Sequence, residues 1–390
     1  MLLFEPYTKQ NFSSPSVHQK FMLIQDVIQH LLNILEAKGF KPFVHFELEG
    51  VCELHAKQQR LDYQSINKKL AQLGIDGELK SEYWKNQWEF VSLFNGQSPL
   101  KEAQNLAKAM QLLPQIMCQY GASKVMMVPV AWGADKGRYV FGSGAIFSLD
   151  TRSVHIPNAI QMNVSVENQH GENLFAQQGL GEWIQYELLS NSYACCLLFL
   201  PEEDAFKRLT LRQDYGLDAE LSSPVLLSGG HQGSIALYKE KGKHNQVMGL
   251  EPLFFATDNS VLHYTGDWRK TARVEHRIGA TSKNYDPYLN MLFILINVLE
   301  GIGKWQTNKT LPNFVDKALP VSLYDQQHNQ NESHQSAQQN LGALSLFKND
   351  MWLVNKIDYY CEDMPNLSGI NLGVKIKEMV LSKYQRSFIT

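Results

Sequence analysis

Apolar residues recur at helical spacing near the start of the chain. Between residues 20 and 35 they predict an amphipathic helix that ends near Gly39; the positions are Phe21, Ile24, Val27, Ile28, Leu31, Leu32 and Leu35. The next segment, PFVHFELEGVCEL, is rich in Val and Phe and is typical of a β-strand. A second helix is predicted over residues 99–119, because Pro99 stands at its start and an apolar stripe follows.

The rest of the chain alternates between short strand-like segments and long apolar runs. The runs at residues 179–199 and 288–302 indicate buried helices. Strands bounded by Gly, Asp and Asn turns are predicted near residues 124–130, 140–148, 160–167, 224–229 and 234–238. Strands from distant parts of the chain with helices between them predict an α+β fold on a largely antiparallel sheet. We interpret residues 1–390 as a single domain without internal repeats.

One segment is almost purely polar. Residues 325–340 read DQQHNQNESHQSAQQN and cannot bury enough apolar surface to order themselves, so we interpret them as an exposed, disordered loop. A regulatory or partner-binding role is the alternative. Residues 341–390 return to a helical pattern and are interpreted as the C-terminal helical part of the same domain.

Composition argues against several classes of function. Of 390 residues, 44% are hydrophobic and 19% are charged, and the net charge is −3, which favours neither nucleic acid nor an anionic membrane as a partner. No apolar run reaches the roughly 18–20 residues that span a bilayer, and the N-terminus lacks the pattern of a secretion signal. Five scattered cysteines are typical of reduced, mostly buried thiols, so we expect a cytoplasmic protein.

Four glutamates in the first quarter of the chain are candidates for metal chemistry. Glu47 and Glu49 alternate on a predicted strand and therefore project from one face. Glu82 and Glu89 are seven positions apart in a segment that carries two tryptophans. Any one of them could be an ordinary surface residue, but several on one sheet would repel one another and need a cation. Oxygen-rich sites suit Mg²⁺ or Mn²⁺, which commonly serve substrate phosphates.

A fifth glutamate stands between two arginines. Arg273, Glu275 and Arg277 alternate along RVEHR, so on an extended strand all three share a face. One interpretation is a surface ion-pair ladder, worth about 0–1 kcal/mol. The other is a site in which the glutamate binds a metal and the arginines bind anions.

Taken in order along the chain, these motifs resemble the catalytic domain of the glutamine synthetase family. The main counterparts are Glu47-Leu48-Glu49, then Glu82 with Gln87-Trp88-Glu89, then Arg273, Glu275 and Arg277 followed by Asp286-Pro287-Tyr288-Leu289. Weaker counterparts are Ser165, residues 171–175, Lys207-Arg208-Leu209 and Lys377-Glu378. The resemblance therefore runs from about residue 20 to about residue 385.

The resemblance implies both a fold and a reaction. In the family, a curved, largely antiparallel sheet flanked by helices carries acids that line a funnel between ATP and an amino acid. Divalent metals bridge the acids and the phosphates, ATP phosphorylates a side-chain carboxylate, and ammonia or an amine attacks the acyl phosphate. By resemblance, this chain would be an ATP- and Mg²⁺- or Mn²⁺-dependent carboxylate–amine ligase that forms γ-glutamyl amides.

The resemblance also assigns residues by position. It implies two sets of metal ligands, namely Glu49, Glu82 and Glu89 in one, and Glu47, Gln161 and Glu275 in the other. Arg273 and Ser165 would face the nucleotide. The catalytic set at the amino-acid and phosphoryl end would be Arg277, Arg208 and Glu275.

Three features depart from the family pattern. Gln161 replaces a metal-binding histidine, and an amide is the weaker ligand. Gln232 and Leu237 stand where the family has two phosphate-facing arginines, and Lys239 or Lys241 would compensate only in part, because an ammonium lacks the bidentate guanidinium fork. Only about twenty residues precede the first predicted helix, so we expect no counterpart of the small β-grasp domain that comes before it in the family.

Two hypotheses therefore stay open. The retained acids favour an active ligase, whose amine site would be open or completed by a separate partner protein or by a homo-oligomer. The lost arginines favour a catalytically degenerate member that binds nucleotide, metal or another protein without turnover.

Overall fold

The computed structural model describes residues 15–82, 84, 86–93, 96–133, 154–177, 179–210, 220–221, 234–241, 247–255, 261–307, 309–326, 341–364 and 371–385. The helices in this part of the chain are α1 (Pro15–Ala37), α2 (Tyr63–Gln72), α3 (Pro99–Gln119), α4 (Leu180–Ser192), α5 (Glu203–Thr210), α6 (Pro287–Gln306), α7 (Ala343–Asn349), α8 (Trp352–Tyr360) and α9 (Leu372–Gln385). The strands are β1 (Phe40–Leu54), β2 (Gly77–Ser81), β3 (Gln87–Ser92), β4 (Ala122–Met126), β5 (Val130–Gly133), β6 (Val154–Pro157), β7 (Ile160–Asn168), β8 (Glu220–Leu221), β9 (Ile235–Tyr238), β10 (Leu250–Phe255), β11 (Val261–Thr265), β12 (Arg273–His276) and β13 (Lys317–Ala318).

Most of the predicted elements are present, with two corrections. The predicted strand at residues 124–130 is two strands, β4 and β5, separated by residues 127–129. The predicted helix at residues 179–199 ends at Ser192, and a short 3₁₀ turn, Cys196–Leu198, follows it. The predicted strands at 140–148 and 224–229, and most of the predicted polar loop, lie outside the described residues.

The predicted α+β architecture is confirmed. A main sheet has the strand order β2-β3-β1-β7-β12-β9, and β4 pairs with the far end of the long strand β1. Each pairing in this sheet is antiparallel. Among the described strands the sheet does not close, because its edge strands β2 and β9 do not pair with each other.

The two faces of this sheet differ in chemistry because side chains alternate along each strand. On one face lie Val44, Phe46 and Leu48 of β1 with Met162 and Val164 of β7, all fully buried. Helices α1, α3 and α6 pack against β1, and α4 packs against β9 and β12. The other face carries the polar and charged residues of the same strands, and we call it the polar face.

Helix α6 is the centre of the apolar core. Its residues are apolar almost all round, and most are fully buried, as expected of a helix enclosed by other elements. Asp286 begins it, since its carboxylate accepts hydrogen bonds from the backbone N–H groups of Tyr288 and Leu289, and Pro287 takes the first helical position. Phe293 of this helix lies edge-on to His276, with ring centroids 6.2 Å apart, so the core helix packs against the end of the strand that carries Glu275.

No helix in the described part of the chain combines the length and apolarity needed to cross a membrane. All five cysteines are free thiols, and all except Cys118 are buried, as the scattered spacing predicts.

Candidate active site on the polar face of the sheet

Strand register brings the predicted acids onto the polar face. Glu49 lies opposite Glu89 on the neighbouring strand, and Glu47 lies opposite Gln161. Glu275 lies opposite Asn163, which belongs to the strand between β1 and β12. Opposed residues in an antiparallel pair have Cα atoms about 4.5–5.5 Å apart, so these side chains share one surface despite their separation in sequence.

A chain of hydrogen bonds and ion pairs crosses the middle of this face. Asn163 donates from Nδ2 to Glu47 Oε1 at 2.8 Å, and its Oδ1 accepts from Arg273 Nε at 2.6 Å. Arg273 Nη2 lies 3.4 Å from Glu275 Oε2, and Arg277 Nε lies 3.3 Å from Glu275 Oε1. Glu275 is completely buried and Arg277 nearly so. The triplet is therefore a buried charge network and not the surface ladder that the sequence also allowed.

Glu49 is held in an unusual electrostatic environment. Its Oε2 accepts a hydrogen bond from the backbone N–H of Ala159 at 2.7 Å, and Gln161 Nε2 lies 3.4 Å from its Oε1. Burial, followed by the negative charges of Glu89 and Glu82, raises the pKa of Glu49 to about 8, although Arg208 and the Ala159 hydrogen bond oppose the rise. Glu49, Glu82 and Glu89 are thus close enough for their charges to interact.

A hydrogen-bonded loop places Glu82 beside the strands. The backbone N–H of Glu82 donates to the carbonyl of Gln87, and Gln87 Oε1 accepts from the backbone N–H of Trp84 at 3.2 Å. Gln87 Nε2 reaches the Pro157 carbonyl and Asn158 Oδ1 at 3.1 and 3.2 Å. The family-like Gln-Trp-Glu motif is therefore partly structural, since its buried glutamine ties the loop to the strand that leads to Gln161.

Arg208 holds the end of the strand that carries Glu275. Its Nη1 donates to the Ile278 carbonyl at 2.9 Å and its Nη2 to the Arg277 carbonyl at 3.3 Å. Burial, with a contribution from Arg277, lowers the pKa of Arg208 to about 10, while Glu49 acts in the opposite direction. Arg208 is therefore close enough to Glu49 and Arg277 for their charges to interact, and it also fixes the backbone at the end of the strand.

A cavity of about 360 Å³ opens at the other end of the polar face. Both residues predicted to face a nucleotide, Ser165 and Arg273, line it. Lys41 and Lys270 add two further cationic side chains, and the Phe43 ring, which lies 4.7 Å below Lys41 Nζ, adds an aromatic surface. The polar face thus runs from a cationic cavity to a group of carboxylates.

The comparisons with known proteins concern the fold. No protein-family model matches the chain, and no curated protein resembles it in sequence. Solved structures are similar. A novel glutamine synthase homologue matches with a TM-score of 0.52 and 14% identity, over 92% of this chain and 71% of the other. The glutamine synthetase of Plasmodium falciparum matches with a TM-score of 0.53 and 11% identity, over 93% and 76%.

This chain has a glutamine synthetase-like fold. A GmaS/ADP complex matches it as well, with a TM-score of 0.52 and 12% identity over 93% of this chain and 74% of the other. The predicted resemblance is therefore confirmed for the fold. Identities of 11–14% do not extend this to the reaction.

The departures from the family pattern have structural counterparts in this glutamine synthetase-like chain. Leu237, at a predicted arginine position, points to the apolar face and contacts Gly181 in the core. Lys239, considered as a substitute, is held by Glu182 Oε1 at 2.5 Å and by the Gln177 carbonyl at 3.2 Å. Lys241 is exposed, and Gln232 lies outside the described residues.

The donor set of the polar face fits a divalent cation in part. The Gln161 amide oxygen is buried and accepts no hydrogen bond from the described residues, so it has a lone pair to offer on the strand next to Glu47. Both predicted sets already contain cations, since Glu275 lies 3.3–3.4 Å from two arginines and Glu89, in the other set, lies 2.8 Å from Lys80. Within the described ranges, no three His, Cys, Asp or Glu side chains already converge as a metal cage.

Sequence reasoning missed Lys80, Asn163 and Asn158 in this site. Asn163 could have been found, because it alternates with Gln161 and Ser165 along one predicted strand. Lys80 and Asn158 could not, since their places depend on strand register and on a loop contact.

Proposed function

We propose that this chain is an ATP- and divalent-metal-dependent carboxylate–amine ligase that forms a γ-glutamyl amide through an acyl phosphate. The observation that carries the proposal is the continuity of one surface, from the cationic cavity at Arg273 to the carboxylates around Glu49. A triphosphate needs cations along its length, and a transferring phosphoryl group needs charge neutralisation where it reacts.

The cavity would take the nucleotide. Arg273, Lys41 and Lys270 supply positive charge for phosphate oxygens, and the guanidinium of Arg273 can contact two of them at once. Ser165 offers a hydroxyl, and Phe43 offers a ring on which a base or ribose can pack. The similar GmaS structure holds ADP, which supports a nucleotide as the ligand here.

The middle of the polar face would take the reacting groups. Glu47, Gln161 and Glu275 would hold one Mg²⁺ or Mn²⁺, and a second would need Glu49, Glu82 and Glu89. A bound divalent cation supplies charge neutralisation on phosphoryl oxygens.

The two arginines at the far end complete the proposed site. Arg277, oriented by Glu275, would face the carboxylate that receives the phosphoryl group, and Arg208 would hold the backbone beneath it. Completion of the amine site by a homo-oligomer or by a partner protein belongs to the same proposal.

One observation favours a second candidate, a nucleotide-binding module without turnover. Leu237 lies in the core and Lys239 is engaged by Glu182, so neither supplies a cation at the phosphoryl end. One such missing arginine can cost about 10³–10⁵ in rate.

Calorimetry and ADP release separate these outcomes. We expect Mg²⁺-dependent ATP binding that Arg273→Ala weakens, whereas Arg269→Ala, an exposed arginine of the adjacent turn paired with Asp267, has no effect. ADP release that requires both a carboxylate and an amine, and that Glu275→Gln abolishes, would support the ligase. ATP binding without ADP release would support the module. No ATP binding with Mg²⁺ or Mn²⁺ would refute both.

A further inference from the structure

Lys80 lies against the carboxylates that the proposed function gives to a second metal. It stands on β2, directly opposite Glu89 of β3, and Glu89 stands directly opposite Glu49 of β1. Lys80 Nζ is 2.8 Å from Glu89 Oε2, and Glu89 is almost fully buried. The three residues therefore form one cross-strand row on the polar face, with a cation at its outer end.

The ammonium group interacts with more than its immediate partner. Besides Glu89, the carboxylates of Glu47 and Glu82 lie close enough for their charges to act on the Lys80 ammonium. Its side chain is 57% exposed, so the stem reaches the acids from the solvent side. One lysine thus contributes positive charge to several of the glutamates at once.

A divalent cation and the Lys80 ammonium compete for the same oxygens. A metal held by Glu89 through Oε2 would take the oxygen that Lys80 now contacts at 2.8 Å. A metal held through the other carboxylate oxygen would still lie close to the ammonium, and two neighbouring cations repel strongly in a partly buried site. Lys80 is tethered to the next strand, so its ammonium is always at high local concentration. The metal would have to displace it and leave it without its partner.

We propose that the Lys80 ammonium takes the place of one divalent cation at Glu49, Glu82 and Glu89, so that the chain binds a single divalent cation at Glu47, Gln161 and Glu275. This inference builds on the proposed function, because it assumes that the polar face is a cation site. It changes the expected chemistry, because one of the two metal positions would have a fixed single charge that does not depend on metal supply.

The alternative is an ordinary cross-strand ion pair. Such a pair contributes about 0.2–1 kcal/mol relative to alanine and would give way to a metal at little cost. The two interpretations predict different numbers of bound metal ions, so a binding count distinguishes them without any measurement of activity.

The test is Mn²⁺ binding to the full chain, counted by electron paramagnetic resonance of free Mn²⁺. Wild type should bind one fewer tight Mn²⁺ per chain than Lys80→Met, which removes the charge and keeps the length of the side chain. The affinity of the new site for Mn²⁺ should exceed that of any secondary site of wild type by about tenfold or more. Lys124→Met is the matched control, since Lys124 pairs with exposed Glu53 on the same sheet at 3.4 Å.

Two further variants assign the sites. Glu89→Gln in the Lys80→Met background should remove the added Mn²⁺, and Glu275→Gln in wild type should remove the original one. Lys80→Gln repeats the test in case the methionine variant does not fold. Equal Mn²⁺ counts for wild type and both lysine variants would overturn the proposal.

This outcome is separate from failure of the proposed function. A lysine variant that gains one Mn²⁺ supports the role of Lys80 even if the chain neither binds ATP nor releases ADP. Conversely, if the chain releases ADP but wild type and the Lys80 variants bind equal numbers of Mn²⁺, the ligase is supported and the role of Lys80 as a substitute for the metal is rejected.

Discussion

Glu49→Gln tests the electrostatics of the polar face most directly. The pKa of Glu49 rises from 4.5 to about 8, because burial and then Glu89 and Glu82 disfavour its charge. Between these pH values the folded chain keeps a proton that the unfolded chain has released. The free energy of unfolding of the wild-type protein must therefore fall as pH rises through this range. Above pH 8 the full cost of burying an ionised Glu49 is present.

The shift sets the size of the effect. A pKa rise from 4.5 to about 8 corresponds to at most about 5 kcal/mol. Glu49 keeps part of its surface in contact with solvent, so we expect about 2 kcal/mol. A glutamine resembles the protonated acid in shape and can still accept the Ala159 hydrogen bond, but it has no charge to bury. The variant and the wild type should therefore be equally stable at pH 4, and the variant more stable at pH 9.

The assay is urea unfolding at pH 4, 6.5 and 9 with a chelator present, so that no divalent cation stabilises the ionised carboxylate. Glu78→Gln is the control, because Glu78 is an exposed glutamate on the edge strand β2 of the same sheet. Parallel stability curves for wild type and Glu49→Gln across this range would refute the reasoning, and so would an equal gain in the control.

Three other substitutions probe the frame of the site. Arg208→Met should lower the free energy of unfolding by about 3 kcal/mol in urea titrations, because two buried carbonyls lose hydrogen bonds to a charged group. Unchanged stability would contradict the role of Arg208 in holding the backbone after β12. His276→Gln should reduce the amount by which the free energy of unfolding falls at acid pH. Burial lowers the pKa of His276 to about 3, so the wild type loses stability as pH falls from 6.5 towards that value. If the variant loses as much stability over the same pH range, His276 is not the source of the loss. Gly50→Ala should lower the free energy of unfolding by about 1–3 kcal/mol, measured by thermal melts, because a Cβ would lie 2.3 Å from the Trp88 ring. Unchanged stability would mean that the ring can move away.

The sequence predicts the polar face well because alternation is a local property. Glu47 and Glu49 share a strand, as do Arg273 and Glu275, and a period of two places each pair on one face, while Arg277 directly follows the second strand. The start of α6 is equally local, since an Asp-Pro pair before an apolar run both caps and begins a helix.

Features that depend on tertiary contacts could not be predicted in this way. The early end of α4 has no proline or glycine to mark it, and the turn that follows is held from elsewhere by Asn290, which donates to the Leu198 carbonyl at 2.9 Å. The register that pairs Lys80 with Glu89 is set up next to Asn86, which takes a positive φ of 65° just before β3. That conformation is open to asparagine but not required by it.

Strand order also has a consequence for how the protein is made. The acids of β1 and β3 are synthesised early, whereas Arg273 reaches Asn163 across 110 positions and must wait for most of the chain to emerge. Such non-local pairing slows folding, and until β12 docks, β7 is an uncovered edge that invites intermolecular pairing. Lys80 emerges with the early strands, so a nascent chain already has a cation beside Glu89 before the late arginines exist.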